Sequence, residues 1–234
     1  MATQRDNFAD IAKGLGILLM VYGHVARGLY NRGISIPEPW YSCVDSVIYS
    51  FHMPLFFFLS GLYWLPSIAR KGLAETTWTK LDTIAYPYVL WSLIQGAAEL
   101  FMSRYTNGQV TVEQVLSLWA PRAQFWFLFA LLLMFVIVAA AYRYRSPWTT
   151  PALLILSTLM YLDRWLVPDF YQAWILAGTL IYFVLGIAFQ QFGGGRLIES
   201  AAKRWGWIAA FLILQSSLHL VGWRSTEPKG GLSL

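Results

Sequence analysis

Long apolar runs alternate with short polar stretches along this chain. A helix that crosses a bilayer needs about 20 mostly apolar residues. Seven runs come near that length: 11–29, 44–65, 83–103, 124–142, 150–167, 171–192 and 206–223. The pattern predicts an all-α fold, a polytopic transmembrane bundle of about seven spans. It also predicts one domain over residues 1–223, followed by a polar tail over 224–234.

The composition supports a membrane protein. Of 234 residues, 57% are hydrophobic and 12% are charged, whereas soluble domains average roughly 25% charged residues. So few charges do not suffice for the water-facing surface of a domain that also carries 12 Trp, 15 Phe and 13 Tyr. The composition therefore excludes a nucleic-acid-binding protein, a disordered protein and an ordinary cytosolic enzyme. One cysteine and three histidines do not make a Cys/His metal cluster, so no metal is expected.

The basic residues predict an N-terminus on the cytoplasmic side. With that orientation ten Lys and Arg residues lie inside and seven outside, as expected if positive charges collect in cytoplasmic loops. The surplus of basic residues, a net charge of +5, is therefore attributed to membrane topology. The polar start MATQRDNFADIAK runs into the first apolar run without a small-residue cleavage site, so that run is expected to remain as a helix.

Three ionisable residues mark the first apolar run. Lys13 and His24 are 11 residues apart, which places them on one helix face about 16 Å apart along the axis. Asp10 precedes Lys13 by three residues and joins that face. Charged groups at a helix centre cost at least ~2.5–3.5 kcal/mol in a bilayer and mark functional sites, and histidine exchanges a proton near neutral pH. The alternatives are that His24 hydrogen-bonds a neighbouring helix and that Lys13 reaches lipid headgroups.

The second apolar run carries a similar pair. Asp45 and His52 are seven residues apart and share a helix face, so either of them is a candidate for orienting His24. Pro54 interrupts the helical hydrogen bonding, which predicts a kink. Ser60 and Gly61 are small residues that allow another helix to approach closely.

Basic residues gather between the second and third runs. Arg70, Lys71 and Lys80 are expected in one short cytoplasmic loop, where they would attract phosphate groups. Anionic lipid headgroups are an equally good partner for such a loop.

Five segments, in order, resemble the acyltransferase-3 family of membrane proteins. DIAKGLGILLMVYGH resembles its opening signature: an acidic residue, then Arg or Lys, then a Gly-His pair about 11 residues later. FHMPLFFFLSGLYW resembles the next block and is most similar to the branch of sugar O-acetyltransferases related to fucose 4-O-acetylase. KLDTIAYPYVLW, FWFLFALLL and YFVLGIAF resemble three later blocks, so the resemblance covers residues 10–189.

The resemblance implies a multi-pass enzyme of the cell inner membrane. Such an enzyme takes an acyl group, usually acetyl from acetyl-CoA, and passes it to a hydroxyl of a carbohydrate or lipid-linked sugar acceptor. His24 stands at the family's essential histidine, Lys13 at its basic partner and Asp10 at its acidic position. These three are the expected catalytic residues, with His24 acting as a nucleophile or as a general base.

The resemblance also implies a donor site. Lys80 stands at the first position of a paired basic motif and is expected, with Arg70 and Lys71, to bind the phosphates of acyl-CoA. The second position of the motif is Ile84 here, which is a departure from the family pattern.

The length of the chain is the other departure, because the family has more spans than the seven expected here. A truncated member and a member completed by a partner both agree with this. Two further interpretations are a non-enzymatic transporter or channel-like protein, in which the His/Lys/Asp stripe relays protons or binds a solute, and an inactive truncated remnant.

Overall fold

The computed structural model describes residues 7–34, 37, 40–103, 110–144, 146–162 and 170–195. Every regular element in these ranges is helical, which confirms the all-α fold. The helices are α1 (Asn7–Asn31), α2 (Trp40–Leu62), α3 (Trp64–Lys71), α4 (Leu73–Met102), α5 (Val112–Leu116), α6 (Trp126–Tyr142), α7 (Thr149–Leu162) and α8 (Tyr171–Gln191), with a 3-10 turn at Ala123–Phe125.

Two helical stretches have both the length and the apolar composition needed to cross a membrane. They are Tyr41–Lys71 and Gln172–Gln191, while Trp126–Tyr142 and Thr149–Leu162 are apolar but shorter. The predicted run 206–223 and the tail 224–234 lie outside the described residues. The count of seven spans and the orientation of the N-terminus therefore stay predictions.

The long helices pack in an antiparallel, up-and-down arrangement. Helix α1 packs on α2, and α7 packs on α8. Helix α8 also packs on α2 and α6, and α6 packs on α4. The core lies where α2, α6 and α8 meet, around the fully buried Phe57, Met134 and Phe183. The helices α1, α4 and α7 pack against α2, α6 and α8 respectively, outside this core.

A reciprocal glycine contact joins α2 to α8. A Cβ atom on Gly61 would overlap the carbonyl oxygen of Phe183, and one on Gly186 would overlap that of Phe58. Both helices thus approach within backbone contact, which only glycine permits. The close approach predicted at Gly61 is confirmed.

Replacing Gly61 with alanine is expected to destabilise the protein by about 1–3 kcal/mol, because the added methyl group forces two packed backbones apart. The matched control is Gly28→Ala in α1, where a Cβ would meet nothing within 4 Å and helix propensity improves by up to about 1 kcal/mol. The midpoint of thermal unfolding in detergent is measured for both variants. Equal midpoints for the two variants would show that α2 and α8 do not meet at Gly61.

The expected loop between the second and third runs is wrong, because this stretch is helical on both sides of a single break. Arg70 and Lys71 form the last turn of α3, and Lys80 lies inside α4. Gly72 makes the break with a φ of 84°, a conformation open to glycine at little cost. Arg70, Lys71 and Glu75 are exposed polar residues of this stretch. Thr76 is buried, and its hydroxyl donates to the Ser67 carbonyl at 3.0 Å, which fastens α4 to α3.

Candidate active site

Two glycines of α1 set the distance between α1 and α2. A Cβ on Gly23 would lie 2.9 Å from the Tyr49 ring, and one on Gly16 would lie 2.8 Å from the Phe56 ring. Gly16 and Gly23 are seven residues apart on α1, and Tyr49 and Phe56 are seven residues apart on α2. The two antiparallel helices therefore stay in register from one contact to the other. The rings of α2 therefore lie directly on the backbone of α1, and we call this contact the α1–α2 seam.

An ion pair continues the seam. Arg27 donates from Nε to Oδ1 of Asp45 at 2.7 Å and from Nη2 to Oδ2 at 2.9 Å. Bidentate pairs of this kind are strong and geometrically specific. The guanidinium carbon of Arg27 also lies 3.1 Å from the centroid of the Tyr49 ring, in the position of a cation–π contact. Asp45, predicted to assist His24, is thus bound to Arg27.

Tyr49 brings the two histidines together. Its ring makes edge contacts with His24, at 6.2 Å between centroids, and with His52, at 5.0 Å. His52 is completely buried, and its Nδ1 lies 2.6 Å from the carbonyl oxygen of Ile48. A carbonyl only accepts hydrogen bonds, so Nδ1 carries the proton. His24, by contrast, is exposed, as a group that meets substrate must be.

Four basic side chains lie close together near the N-terminal end of α1, away from His24. They are Lys13, Arg70, Lys71 and Lys80, and we call them the cation cluster. Partial burial lowers the pKa of Lys80, and the charges of Lys13, Lys71 and Arg70 lower it further. The structure therefore gathers basic residues from α1, α3 and α4 that are up to 67 positions apart in the chain. Asp10 lies on the exposed surface of α1, three residues before Lys13.

His24 and Lys13 lie on one flank of the α1–α2 seam. Residues two apart on a helix do not share a face, so Tyr22 and Ala26 lie on the other flank. There they line a small cavity together with Ile48 of α2. That cavity is therefore separate from the surface that carries the histidine and the lysine.

The flank with His24 and Lys13 faces α6 and α4. On this flank Phe57 of α2 packs against Phe127 of α6, with 4.9 Å between ring centroids. Lys13 acts electrostatically on Lys80 of α4, and α4 packs along α6. His24 and Lys13 are both exposed, and we call the strip of helix surface that joins them the α1 surface. The cation cluster lies at one end, and His24 lies about 16 Å beyond Lys13.

A second polar network, which the sequence did not predict, links α4 to the start of α6. Arg122 donates to Glu99 at 2.8 Å, and Gln124 donates to Gln95, which in turn donates to Glu99. Gly96 leaves the room that Arg122 needs, because a Cβ there would overlap its guanidinium group. This network fixes the loop before α6 against α4. Among the described residues no group of three or more His, Cys, Asp or Glu side chains is placed to hold a metal ion.

Arg27 and Tyr49 are the site residues that sequence reasoning missed. The helical spacing could have identified each of them. Arg27 follows His24 by three residues, and Tyr49 follows Asp45 by four. Each therefore lies near a predicted site residue on its own helix. Which of them meet across the seam depends on the register of α1 against α2, and the apolar pattern does not give that register.

Comparison with known proteins places the chain in a family. It is 29% identical over 196 residues to the nodulation protein NolL of Sinorhizobium fredii, covering 81% of this chain and 50% of that protein. It is 24% identical over 226 residues to NolL of Mesorhizobium japonicum, covering 94% of this chain and 57% of that protein. The chain thus spans about half the length of the curated relatives it matches, and no solved structure matches it.

The family model described as an acyltransferase domain matches residues 6–222. This match includes α1, with Asp10, Lys13 and His24, and all the other described helices. It confirms the resemblance carried by the segments from DIAKGLGILLMVYGH to YFVLGIAF. The chain belongs to the acyltransferase-3 family.

Proposed function

We propose that this protein is a membrane-bound O-acyltransferase. It moves an acetyl group from acetyl-CoA to a hydroxyl of a carbohydrate or lipid-linked sugar of the cell envelope. In this proposal the protein crosses the inner membrane several times, with its N-terminus in the cytoplasm. The observation that carries the proposal is an exposed histidine and, about 16 Å away on the same side of α1, a cluster of four cations.

The cation cluster is the proposed binding site for the donor phosphates. Like charges held close together repel one another, and the exposed pair of Lys71 with Glu75 at 3.8 Å offsets only part of this repulsion. The partly buried Lys80 also loses hydration. A phosphate anion relieves both costs, because it supplies opposite charge and oxygen acceptors for ammonium and guanidinium groups. The cytoplasmic orientation predicted for the N-terminus would expose this end of the α1 surface to soluble acyl-CoA.

The proposed path of the donor follows α1. With the phosphates at the cation cluster, the flexible pantetheine arm extends along the α1 surface and presents the thioester near His24. Aromatic and aliphatic side chains of α2 and α6 line the adjoining surface, including Phe56 and Phe127, whose rings lie 5.7 Å apart. The acceptor hydroxyl would approach His24 from the opposite end of the α1 surface.

His24 is the proposed general base. Its imidazole takes the proton of the acceptor hydroxyl while the hydroxyl oxygen attacks the thioester carbonyl carbon. The carbon–sulfur bond breaks, and the leaving CoA thiolate receives the proton, so an ester and free CoA result. In the alternative, a nitrogen of His24 takes the acetyl group first. Exchange of labelled CoA into acetyl-CoA without an acceptor requires that acetyl-histidine and distinguishes the two.

Donor affinity is expected to fall at alkaline pH. The lowered pKa of Lys80 means that this side chain loses its positive charge at a lower pH than an ordinary lysine, whose pKa is about 10.4. As pH rises through the pKa of Lys80, the cluster loses one charge and the KM for acetyl-CoA rises. Lys80→Arg keeps its charge throughout, so this variant should show a flatter KM between neutral pH and about pH 10. Identical pH profiles for wild type and Lys80→Arg would contradict a role of Lys80 in donor binding.

The test of the proposed function is release of the CoA thiol from acetyl-CoA by membranes that contain the protein, with and without candidate sugars. An acyltransferase releases thiol faster when its acceptor is present, and the His24→Ala variant serves as the matched blank. Proton or solute flux into vesicles with intact acetyl-CoA would indicate the transporter interpretation. Absence of both activities would indicate the inactive remnant.

A further inference from the structure

We infer that Tyr49, clamped by the Arg27–Asp45 ion pair, is a positioning residue that fixes the orientation of the His24 imidazole. The inference rests on the proposed function, because it assigns His24 the role of the reacting group. It adds Tyr49 and Arg27 to the residues proposed to act in the site, and it gives Asp45 the specific role of holding Arg27.

The ring of Tyr49 is held from several sides. Arg27 covers one face at 3.1 Å from the ring centroid, and its own position is fixed by two hydrogen bonds to Asp45. The buried ring of His52 packs at 5.0 Å. On the side of α1, the backbone at Gly23 comes so close that a Cβ there would collide with the tyrosine ring. A ring enclosed in this way has little freedom to rotate.

His24 lacks comparable enclosure of its own. It is exposed on α1, and an exposed side chain changes rotamer readily, on a scale of picoseconds to nanoseconds. A general base acts only when its nitrogen lies within about 2.6–3.2 Å of the proton it takes. The edge contact with Tyr49, at 6.2 Å between centroids, lies in the range preferred by aromatic pairs. The fixed tyrosine ring thus restricts an otherwise mobile imidazole.

The ion pair acts on the same ring. Arg27 and His24 are three residues apart and are neighbours on the surface of α1. With Asp45 in place, the guanidinium group stays over Tyr49. Without Asp45, Arg27 loses the two hydrogen bonds that hold it over the ring face, and the tyrosine and histidine rings both gain freedom. The three residues therefore form one unit across the α1–α2 seam.

Four variants test the inference by steady-state kinetics. Tyr49→Leu and Asp45→Asn should lower kcat by about 10- to 100-fold, because misplacing a reacting group by 1 Å costs up to about 10²-fold. The KM for acetyl-CoA should change by less than about twofold, since the cation cluster lies about 16 Å away along α1. Tyr49→Phe keeps the ring and should retain kcat within about threefold. Val25→Ala, on an exposed part of α1, is the matched control.

A merely structural role would give a different pattern. It would lower the thermal midpoint, and would raise the KM along with any fall in kcat. An unchanged kcat in Tyr49→Leu overturns the inference, as does an equal fall in Tyr49→Phe, which would assign the role to the hydroxyl group.

A second measurement separates this inference from the proposed function. The rate at which diethyl pyrocarbonate modifies His24, followed by mass spectrometry of the peptide, reports on the imidazole even when no acceptor is present. Tyr49→Leu and Asp45→Asn should change that rate several-fold relative to wild type, and Val25→Ala should not. Equal rates in all of them overturn the positioning role. An absence of acyl transfer in wild type, together with altered rates, contradicts the proposed function alone.

Discussion

Replacement of His24 with alanine is expected to lower acyl transfer by at least about 10²-fold, the usual contribution of a general base. The imidazole is exposed on the α1 surface, and no other described residue on that flank of α1 is a histidine. Its edge contact with Tyr49 at 6.2 Å is a small part of the packing, so the thermal midpoint should stay within a few degrees of wild type. Initial rates of thiol release from acetyl-CoA measure the loss.

The control for this variant is Val25→Ala, which removes a comparable exposed side chain from the next position of α1. It should retain the wild-type rate. A His24→Ala variant that inserts normally and keeps more than about a third of the activity would remove His24 from the chemistry, since general bases contribute 10²–10⁴-fold.

Reversing a charge in the cation cluster is expected to weaken donor binding strongly. Lys80→Glu or Lys13→Glu should raise the KM for acetyl-CoA at least about tenfold, because a change of two charge units beside a phosphate exceeds about 1.4 kcal/mol at the effective dielectric of a protein surface. The effect on kcat should be smaller, because the proposed reacting group, His24, lies about 16 Å farther along α1. The wild-type KM should also rise with salt, as screening weakens the attraction.

Arg32→Gln is the matched control for the cluster, since Arg32 is an exposed cation just beyond the other end of α1. Its KM should equal that of wild type. The same variants decide between phosphates of acyl-CoA and lipid headgroups as the partner of the cluster. If headgroups are the partner, Lys80→Glu lowers membrane insertion or stability and leaves the KM unchanged, and this outcome would refute the donor site.

Several features of the fold could be predicted from the sequence because they depend on local pattern. The apolar runs at 11–29, 124–142 and 171–192 correspond to α1, α6 and α8 within a few residues, since their length and composition leave no other way to satisfy the backbone. Gly61 was identified as a contact point because a small residue in an apolar helix rarely has another use. The helical spacing likewise placed Lys13 and His24 on one face.

Other features depend on contacts between helices, which a local pattern does not specify. The stretch around Arg70, Lys71 and Lys80 looked like a loop because it is polar, yet it is helical: Thr76 fastens α4 to α3, and Lys80, one turn later on the same face, is partly buried. Tyr49 looked like one more aromatic residue of an apolar run. Its role depends on the register that sets it over Gly23 and under Arg27. The pairing of Glu99 with Arg122 across 23 residues has the same origin.

The central claim, acetyl transfer that depends on His24, is tested most directly by following the acetyl group itself. Membranes containing wild-type protein or His24→Ala are incubated with acetyl-CoA labelled in the acetyl group, and the carbohydrate and lipid-linked sugar fractions are then separated. The account predicts label in one of these fractions for wild type, released by mild alkali as expected of an ester, and background label for His24→Ala. Equal labelling by the two proteins would contradict it.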